Sequence, residues 1–536
     1  MKKWLYVSIP FILALALRLY PYLVTGVPFA IDAWAPTRNT ELIQEHTPIN
    51  LDNEILDGYN NYWPVNSIFG VIVSEITSLP PIQVMAIFLP VTGAITIVIF
   101  YVLVKEFYNT RIAFMASLIF AAAFTHAYFT AGVTKETYAN PLYILLILIF
   151  LHPKLEKPKQ ILLFTITSTT LALTHHLTAF ITITILSSLT LVRLIRNTRA
   201  GLPTNRRDFL LLGILGAVTL VDYAVYAHEG FNVTLAYSDW LSIASYQVIT
   251  FVLALFFVSK SDVITKNKTV IITIGALVSG FVFTILLMKK PFISGFPVMP
   301  DRYLIYGSPY LLIPPLVTLG FAYKKQQKAL IIPMFWIAVV AALECFAIFA
   351  NTILTTMLAN RALNFLHPPL AILTAAGLYN LYKTGKKPHS RKLMKILTVT
   401  TILFMVSLNI YTFYAAISLE ERYLGYSSLY RKQELIAGNW IKTNNYNLTV
   451  SGDWKISHLL LDYFGQETSH FQALLFFNDE TDSQPEILFV HDQMIRNGYL
   501  ISYQVLDLPE NWMEKTAQLN FIYSNGLANL YAGEDV

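Results

Sequence analysis

The side chains able to do chemistry in this 536-residue chain gather at the ends of its apolar runs. Asp32 follows the first run in Pro-Phe-Ala-Ile-Asp-Ala-Trp, with Trp34 beside it; Lys135 and Glu136 are neighbours in Gly-Val-Thr-Lys-Glu-Thr. His175 and His176 are neighbours in Thr-His-His-Leu-Thr, Asp301 and Arg302 precede one later run, and Arg361 precedes another. An ionisable group at membrane depth is expensive, so each is a functional candidate by default. The guanidinium of Arg302 or Arg361 is a planar fork of donors that suits a lipid phosphate, against the plain alternative of snorkelling to headgroups. Asp32 reads as a site carboxylate or as a solvated helix cap. Glu136 at a helix start suits the positive end of the dipole, so Lys135 and Glu136 read equally as a local ion pair. On a helix His175 and His176 point about 100° apart and do not easily share one metal ion.

Membrane helices must position these groups. The chain is 55% hydrophobic and only 13% charged, about half the charge of a soluble domain, with a mean hydropathy of +0.52. Its single cysteine, Cys345, rules out an internal disulfide and a Cys-based metal site. Runs long enough to cross the hydrocarbon core recur at 4–24, 82–104, 112–130, 137–152, 161–175, 177–195, 209–227, 241–258, 269–288, 304–322, 329–350, 364–382 and 393–418, which makes thirteen expected spans. The first is read as a retained span, because it contains Arg18 and has no small-residue cleavage site.

Lysine and arginine in the short loops set the expected orientation. With Lys2 and Lys3 in the cytoplasm, alternate loops place twenty-two further basic residues inside, and the opposite loops after the second span hold five: Lys135, Lys289, Lys290, Arg302 and Arg361. The segment 65–79 is apolar enough to be an extra span, but that would flip every later loop and put the twenty-two outside. It is therefore expected to be an interfacial or partly re-entrant helix within the first outer loop, 25–81. An odd number of spans places the C-terminus outside. On this map the candidates all lie toward the outer face, with Arg18, His126, Asp222, Glu229, Glu344 and His367.

From about Leu419 the composition changes: residues 419–536 hold sixteen acidic and seven basic side chains. The expected division is a transmembrane catalytic domain over 1–418 and an extracytoplasmic α/β or α+β domain over 419–536. Helices are expected at Arg431–Lys442 and Lys455–Tyr463, strands at Leu448–Ser451 and Ile487–His491, and a hairpin over Phe521–Tyr531 about Ser524-Asn525-Gly526.

No Gly-rich phosphate loop, His-Glu-x-x-His, Gly-x-Ser-x-Gly or cysteine cluster is present, and nothing points to nucleic acid as a partner. Only short basic loops face the cytoplasm, so a nucleotide-driven enzyme has no place for its site. An enzyme working at the outer face needs an activated molecule available there, and lipid-linked phosphates meet that need.

The chain resembles the GT-C superfamily of membrane glycosyltransferases, which use polyprenyl- or dolichyl-phosphate-linked sugars. The resemblance rests on the long first outer loop with its early acid (Ile31-Asp32-Ala33-Trp34), a second span ending in Tyr-Val-Leu-Val-Lys-Glu-Phe-Tyr, and a following helix pair whose outer loop carries Glu136. Thirteen spans and an outer soluble domain are most similar to the catalytic subunit of archaeal oligosaccharyltransferases. The resemblance implies that Asp32 is the base for an acceptor hydroxyl, with inversion at the sugar carbon. It implies that Glu136 binds sugar hydroxyls or orients Asp32, and that Arg302 and Arg361 neutralise the leaving lipid phosphate. Trp34, Lys135, His175, His176 and Asp301 would contact substrate. The implied partners are a lipid-linked sugar donor, a glycan, lipid or protein acceptor, and the bilayer.

Two departures bear on the acceptor and the metal. The Trp-Trp-Asp-Tyr-Gly signature of oligosaccharyltransferases is absent, its nearest pieces being Gly438-Asn439-Trp440 and Gly452-Asp453-Trp454. Where those enzymes have two acids that help to hold a divalent metal, Lys135 precedes Glu136, so a metal is not favoured. The preferred expectation is a single-sugar transferase. Transfer of an oligosaccharide to asparagine is the alternative within the class, and a lipid-linked sugar transporter or flippase is the alternative outside it.

Overall fold

The computed structural model describes the chain except for residues 1–3, 47, 49–55, 57, 153, 231–235, 261–273, 283–284, 287–297, 322–326, 351–352, 384–387, 419–421, 445–447, 503 and 535–536. Asp52, Glu54, Asp57, Asn232, Lys266, Lys268, Lys289, Lys290 and Asn447 thus lie outside the described residues.

The helices follow the apolar runs. They are α1 (Leu5–Thr25), α2 (Trp34–Glu45), α3 (Gly58–Asn61), α4 (Val65–Thr77), α5 (Pro81–Phe107), α6 (Thr110–Ala122), α7 (Phe124–Ala131), α8 (Lys135–Leu151), α9 (Lys157–Ala172), α10 (His176–Arg199), α11 (Arg206–Asp222) and α12 (Tyr237–Lys260). After these come α13 (Tyr303–Leu311), α14 (Ile313–Phe321), α15 (Gln327–Ala350), α16 (Ile353–Lys383) and α17 (Pro388–Ser418). Among the described residues eight helices are long and apolar enough to cross a membrane, or nine if α6 and α7, bent 62° apart, form one span. The other four expected spans differ for separate reasons. At 17 and 16 residues, α8 and α9 are short; α16 is long but carries Asn360, Arg361, Asn364 and His367 together. Residues 269–288 are described only in part, and 274–282 are helical. The segment expected to lie in the interface is α4, whose 13 residues reach about 20 Å, too short for a hydrocarbon core of about 30 Å.

The chain divides into two compact units. One, the helical unit, comprises Met1–Leu17, Thr92–Thr130 and Tyr138–Thr412. Its core runs through Phe100, Phe120, Tyr143, Phe150, Phe164, Phe335, Trp336 and Phe365, while Leu162, Ile166, Val248, Val252 and Phe256 face outward. An apolar core beneath an apolar exterior is the signature of a body solvated by lipid. Small residues let its helices close up: a Cβ on Gly377 would meet the Leu316 carbonyl oxygen of α14, and one on Gly320 the Leu373 oxygen of α16.

The second, mixed unit comprises Arg18–Val91, Ala131–Thr137 and Phe413–Val536. Its sheet has the order β2-β1-β3-β7-β6, with β1 (Val450–Ser451) parallel to β2 (Thr468–Ser469) and β3 (Ile487–His491), and β7 (Ala528–Ala532) antiparallel to β3 and β6 (Asn520–Ser524). A separate hairpin pairs β4 (Tyr499–Ile501) with β5 (Gln504–Leu506). Five helices accompany the sheet: α18 (Lys432–Thr443), α19 (Trp454–Leu459), α20 (His470–Phe477), α21 (Asp492–Asn497) and α22 (Trp512–Thr516). The expected strand Ile487–His491 matches β3, and the expected hairpin turns at Asn525-Gly526, where Gly526 takes φ +87.

Candidate functional site

In the mixed unit Asp32 sits in a single 3₁₀ turn, Ile31–Ala33, and is exposed. The turn is entered through Ala30 at φ 96, a left-handed conformation costly to a residue with a Cβ. Two backbone hydrogen bonds hold that strain. The Ala30 N–H donates to the Ser428 carbonyl at 2.9 Å, and the Val133 N–H donates to the Phe29 carbonyl at 2.9 Å. Val133 lies two residues before Lys135, so the second bond fastens the Asp32 turn to the start of α8. That start has a helix cap: Thr134 Oγ1 accepts the Thr137 N–H at 3.1 Å, and Thr137 Oγ1 donates to the Gly132 carbonyl at 2.7 Å. Glu136 falls in the first turn, at the favourable end of the dipole.

Lys135 and Glu136 are both buried. The Lys135 ammonium lies 3.7 Å from the ring centre of Tyr59 and 5.2 Å from that of Trp63, two aromatics 4.8 Å apart. A cation held over ring faces out of water is worth about 2 kcal/mol or more, so this clasp ties the first long loop to the start of α8. The cluster Gly-Tyr-Asn-Asn-Tyr-Trp at 58–63 was the signal that sequence reasoning passed over. Trp34 is fully buried, edge-on to Tyr430 at 4.9 Å and tilted against Tyr463 at 5.5 Å. Its ring belongs to the core of this unit, and its contribution to Asp32 is rigidity.

In the helical unit His175 is buried just before α10, with Nδ1 2.7 Å from Thr178 Oγ1, and the His175 and His176 ring centres are 5.2 Å apart. Asp301 and Arg302 are exposed in the turn before α13, the Arg302 guanidinium lying 6.0 Å from the Tyr303 ring centre. Arg361 does not open its helix: α16 starts at Ile353, and Arg361 stands in its third turn, half-buried.

Sequence reading did not reveal the polar chain at the α6–α7 break. Asn409 Oδ1 accepts the Phe124 N–H at 3.0 Å, capping α7 at the point where the span bends. His126 Nδ1 lies 2.5 Å from Asn364 Oδ1, Asn364 donates to Asn140 Oδ1 at 3.4 Å, and a His367 ring nitrogen lies 2.9 Å from Thr125 Oγ1. Beside the break a small cavity of about 20 Å³ is lined by Phe120, Ala123, Tyr310, His367, Thr374 and Asn409 among other residues. Broken helices are tolerated at membrane depth where the freed backbone groups are buried in protein and find partners there, as the Phe124 N–H does in Asn409.

The C-terminal part of the mixed unit holds a second buried cluster. Asp453 accepts the Tyr426 hydroxyl at 2.8 Å and the Ile456 N–H at 3.0 Å. His491 lies 3.1 Å from Asp453 and 3.3 Å from Glu434, and the Lys455 ammonium donates to Glu434 at 2.8 Å and to Gln493. Burial pushes the Asp453 carboxyl up, but the charges of His491 and Lys455 outweigh it and hold the group below its ordinary range. Among the described residues no three His, Cys, Asp or Glu side chains are grouped to hold a metal ion.

This arrangement of helices and terminal sheet is the GT-C fold. The oligosaccharyltransferase of Archaeoglobus fulgidus in its apo form superposes at a TM-score of 0.57, with 13% identity over 99% of this chain and 74% of that one. The same protein in complex with an inhibitory peptide and a dolichol-phosphate gives 0.55 at 13%, with the same coverage. ArnT from Cupriavidus metallidurans in the apo state gives 0.50 at 12%, over 98% of this chain and 97% of that one. At these identities the likeness is one of fold. No family model and no curated protein matches the sequence.

Proposed function

We propose that the chain is a membrane glycosyltransferase that moves a sugar from a polyprenyl- or dolichyl-phosphate carrier to a hydroxyl acceptor on a glycan, lipid or protein, at the membrane face opposite its basic loops. The observation that carries this reading is the hydrogen bond from Val133 to Phe29, which joins the strained Asp32 turn to the turn bearing Lys135 and Glu136. Asp32 takes the proton of the acceptor hydroxyl; the oxygen attacks the anomeric carbon from the face opposite the phosphate. The carbon–oxygen bond to the phosphate breaks, and the lipid phosphate leaves with its electron pair. A base beside the acceptor contributes about 10²–10⁴-fold. Glu136 binds sugar hydroxyls, and the caged Lys135 ammonium favours an anionic donor. Arg302 and Arg361 take the phosphate charge, with His175, His176 and Asp301 as further polar contacts.

Transfer of an oligosaccharide to asparagine is the second reading, favoured by the likeness to the A. fulgidus enzyme. The test supplies membranes containing the protein with labelled polyprenyl-phosphate sugars and compares it with Asp32→Asn. The expected result is a loss of 10²–10⁴-fold in transfer; equal rates would remove Asp32 from the mechanism. Label arriving on an asparagine peptide favours the second reading, and translocation of the lipid-linked sugar without transfer favours a transporter.

A further inference from the structure

One end of the helical unit carries a cluster of guanidinium groups that the proposed reaction does not use. Arg193, Arg196 and Arg199 stand in the last turns of α10, Arg206 and Arg207 in the first turn of α11, and these two helices pack against each other and against α9. The scaffold beneath them is fixed. Asp208, 1% exposed, accepts from Arg193 at 2.9 Å and from Asn205 Nδ2 at 2.7 Å. The Arg193 guanidinium lies 5.5 Å from the ring centre of the buried Phe150, and Arg207 donates to the Phe150 carbonyl at 3.3 Å, covering the C-terminal end of α8. The link from α10 to α11 is closed by the Leu202 N–H on the Asn197 carbonyl at 2.8 Å and by Asn197 Nδ2 on the Pro203 carbonyl at 3.3 Å.

We propose that this end of the bundle binds the phosphate headgroup of an anionic phospholipid, in the leaflet on the side of the basic loops. The first argument is charge. Asp208 is taken by Arg193, and among the described residues no carboxylate lies within ion-pair distance of Arg196, Arg199, Arg206 or Arg207. The second is residue type. The five basic side chains at this link are all arginine, whereas the other basic loops of that face are lysine at every position but Arg111 and Arg391. Orientation in a membrane needs only positive charge, and lysine supplies it; the planar fork of arginine adds paired hydrogen bonds to phosphate oxygens. The third argument is what adjoins the cluster, and it favours a lipid over a soluble phosphate. Phe209 and Leu210 follow Arg206-Arg207 almost directly and are 46% and 50% exposed, on a helix with the length and hydropathy of a span. A fixed crown of guanidinium groups above an apolar wall complements a charged headgroup above its acyl chains, and basic pockets between span ends suit such headgroups.

The test does not depend on the reaction. The detergent-solubilised full chain is titrated with phosphatidylglycerol, with phosphatidylcholine of the same acyl chains and with inorganic phosphate, and bound lipid is counted by native mass spectrometry. Phosphatidylglycerol should be held more tightly than phosphatidylcholine. The double variant Arg206→Gln, Arg207→Gln should weaken it about 30-fold, the effect of two basic contacts at a membrane surface. Lys392→Gln with Lys395→Gln removes the same charge from exposed positions at the start of α17 and should leave it unchanged. Equal retention of the two lipids would overturn the proposal. So would equal losses in the two double variants, which would leave only the general attraction of a basic face, or displacement of the lipid by millimolar inorganic phosphate, which would make the ligand a soluble anion. Because Arg207 also holds the end of α8, the exposed Arg206→Gln is measured alone as well, with a loss of about 5-fold expected.

Discussion

In the helical unit a hydroxyl usually turns to its own helix. Thr165, Thr167, Thr169 and Thr170 of α9 donate to the carbonyls four residues back at 2.7–3.0 Å, and Thr182 and Thr190 of α10 do the same. In the C-terminal part of the mixed unit buried polar groups reach across the chain: Tyr426 to Asp453 and Gly498, Tyr430 to the Lys455 carbonyl, and Lys455 to Glu434. Helix geometry explains one side of the contrast: a helix in lipid cannot leave a donor waiting for water, and the carbonyl one turn back is always within reach. A polar centre buried between several elements is stable only if those elements satisfy it together.

The largest test of this contrast is Lys455→Met. It removes the ammonium from Glu434, whose side chain is 2% exposed, and leaves a buried carboxylate without its cation. Breaking one side of such a pair costs about 3–5 kcal/mol. The expected result is early loss of the tryptophan signal of the mixed unit in a urea titration of the detergent-solubilised chain. The double variant with Glu434→Leu should recover much of that loss. A single variant as stable as its parent would mean that the cluster is not satisfied as a group.

A smaller effect is expected from Tyr426→Phe. Its hydroxyl shares its one proton between Asp453, at 2.8 Å, and the Gly498 carbonyl, at 2.9 Å, so the variant leaves a shared donor missing from two buried acceptors, at about 1–3 kcal/mol. The same carboxylate supplies a pH test. Asp453 has a lowered folded pKa, so its contribution is present above the unfolded value of about 3.9 and is lost as pH falls through the folded value. Stability of the mixed unit should therefore drop below about pH 4, and the drop should shrink in Asp453→Asn. An unchanged acid limb would assign the charge balance elsewhere.

The same contrast decides what could be read from sequence. Spans and their approximate ends are legible because an apolar run of fixed length is a local property, and so is the Asn525-Gly526 hairpin. The Asn409 cap on Phe124 joins residues 285 apart, and the Lys135–Tyr59 clasp joins α8 to the distant α3; neither leaves a periodic trace. Arg361 reads as preceding a span because the apolar run counted over 364–382 begins just after the polar Asn360 and Arg361. The structure instead continues the helix through them, with Asn364 and His367 turned to His126 and Thr125. Of the candidate site, the residue types were legible, while the Ala30 strain and the bridge from Val133 that hold Asp32 were not.

The smallest expected effect is at Thr169. Its hydroxyl is exposed on α9 and donates to the Thr165 carbonyl at 3.0 Å, a group already engaged by the helix ladder. Thr169→Val keeps the shape, removes the hydroxyl and leaves no donor behind, so stability should change by no more than about 0.5 kcal/mol. Set beside Tyr426→Phe, it deletes the same chemical group from the other unit, with the two acceptors of Tyr426 replaced by one carbonyl that keeps its ladder bond. Equal losses in the two variants would show that hydroxyls on the helical surface serve neighbours beyond their own helix. A loss confined to Tyr426→Phe would show that what a buried hydroxyl is worth depends on the acceptors it would abandon.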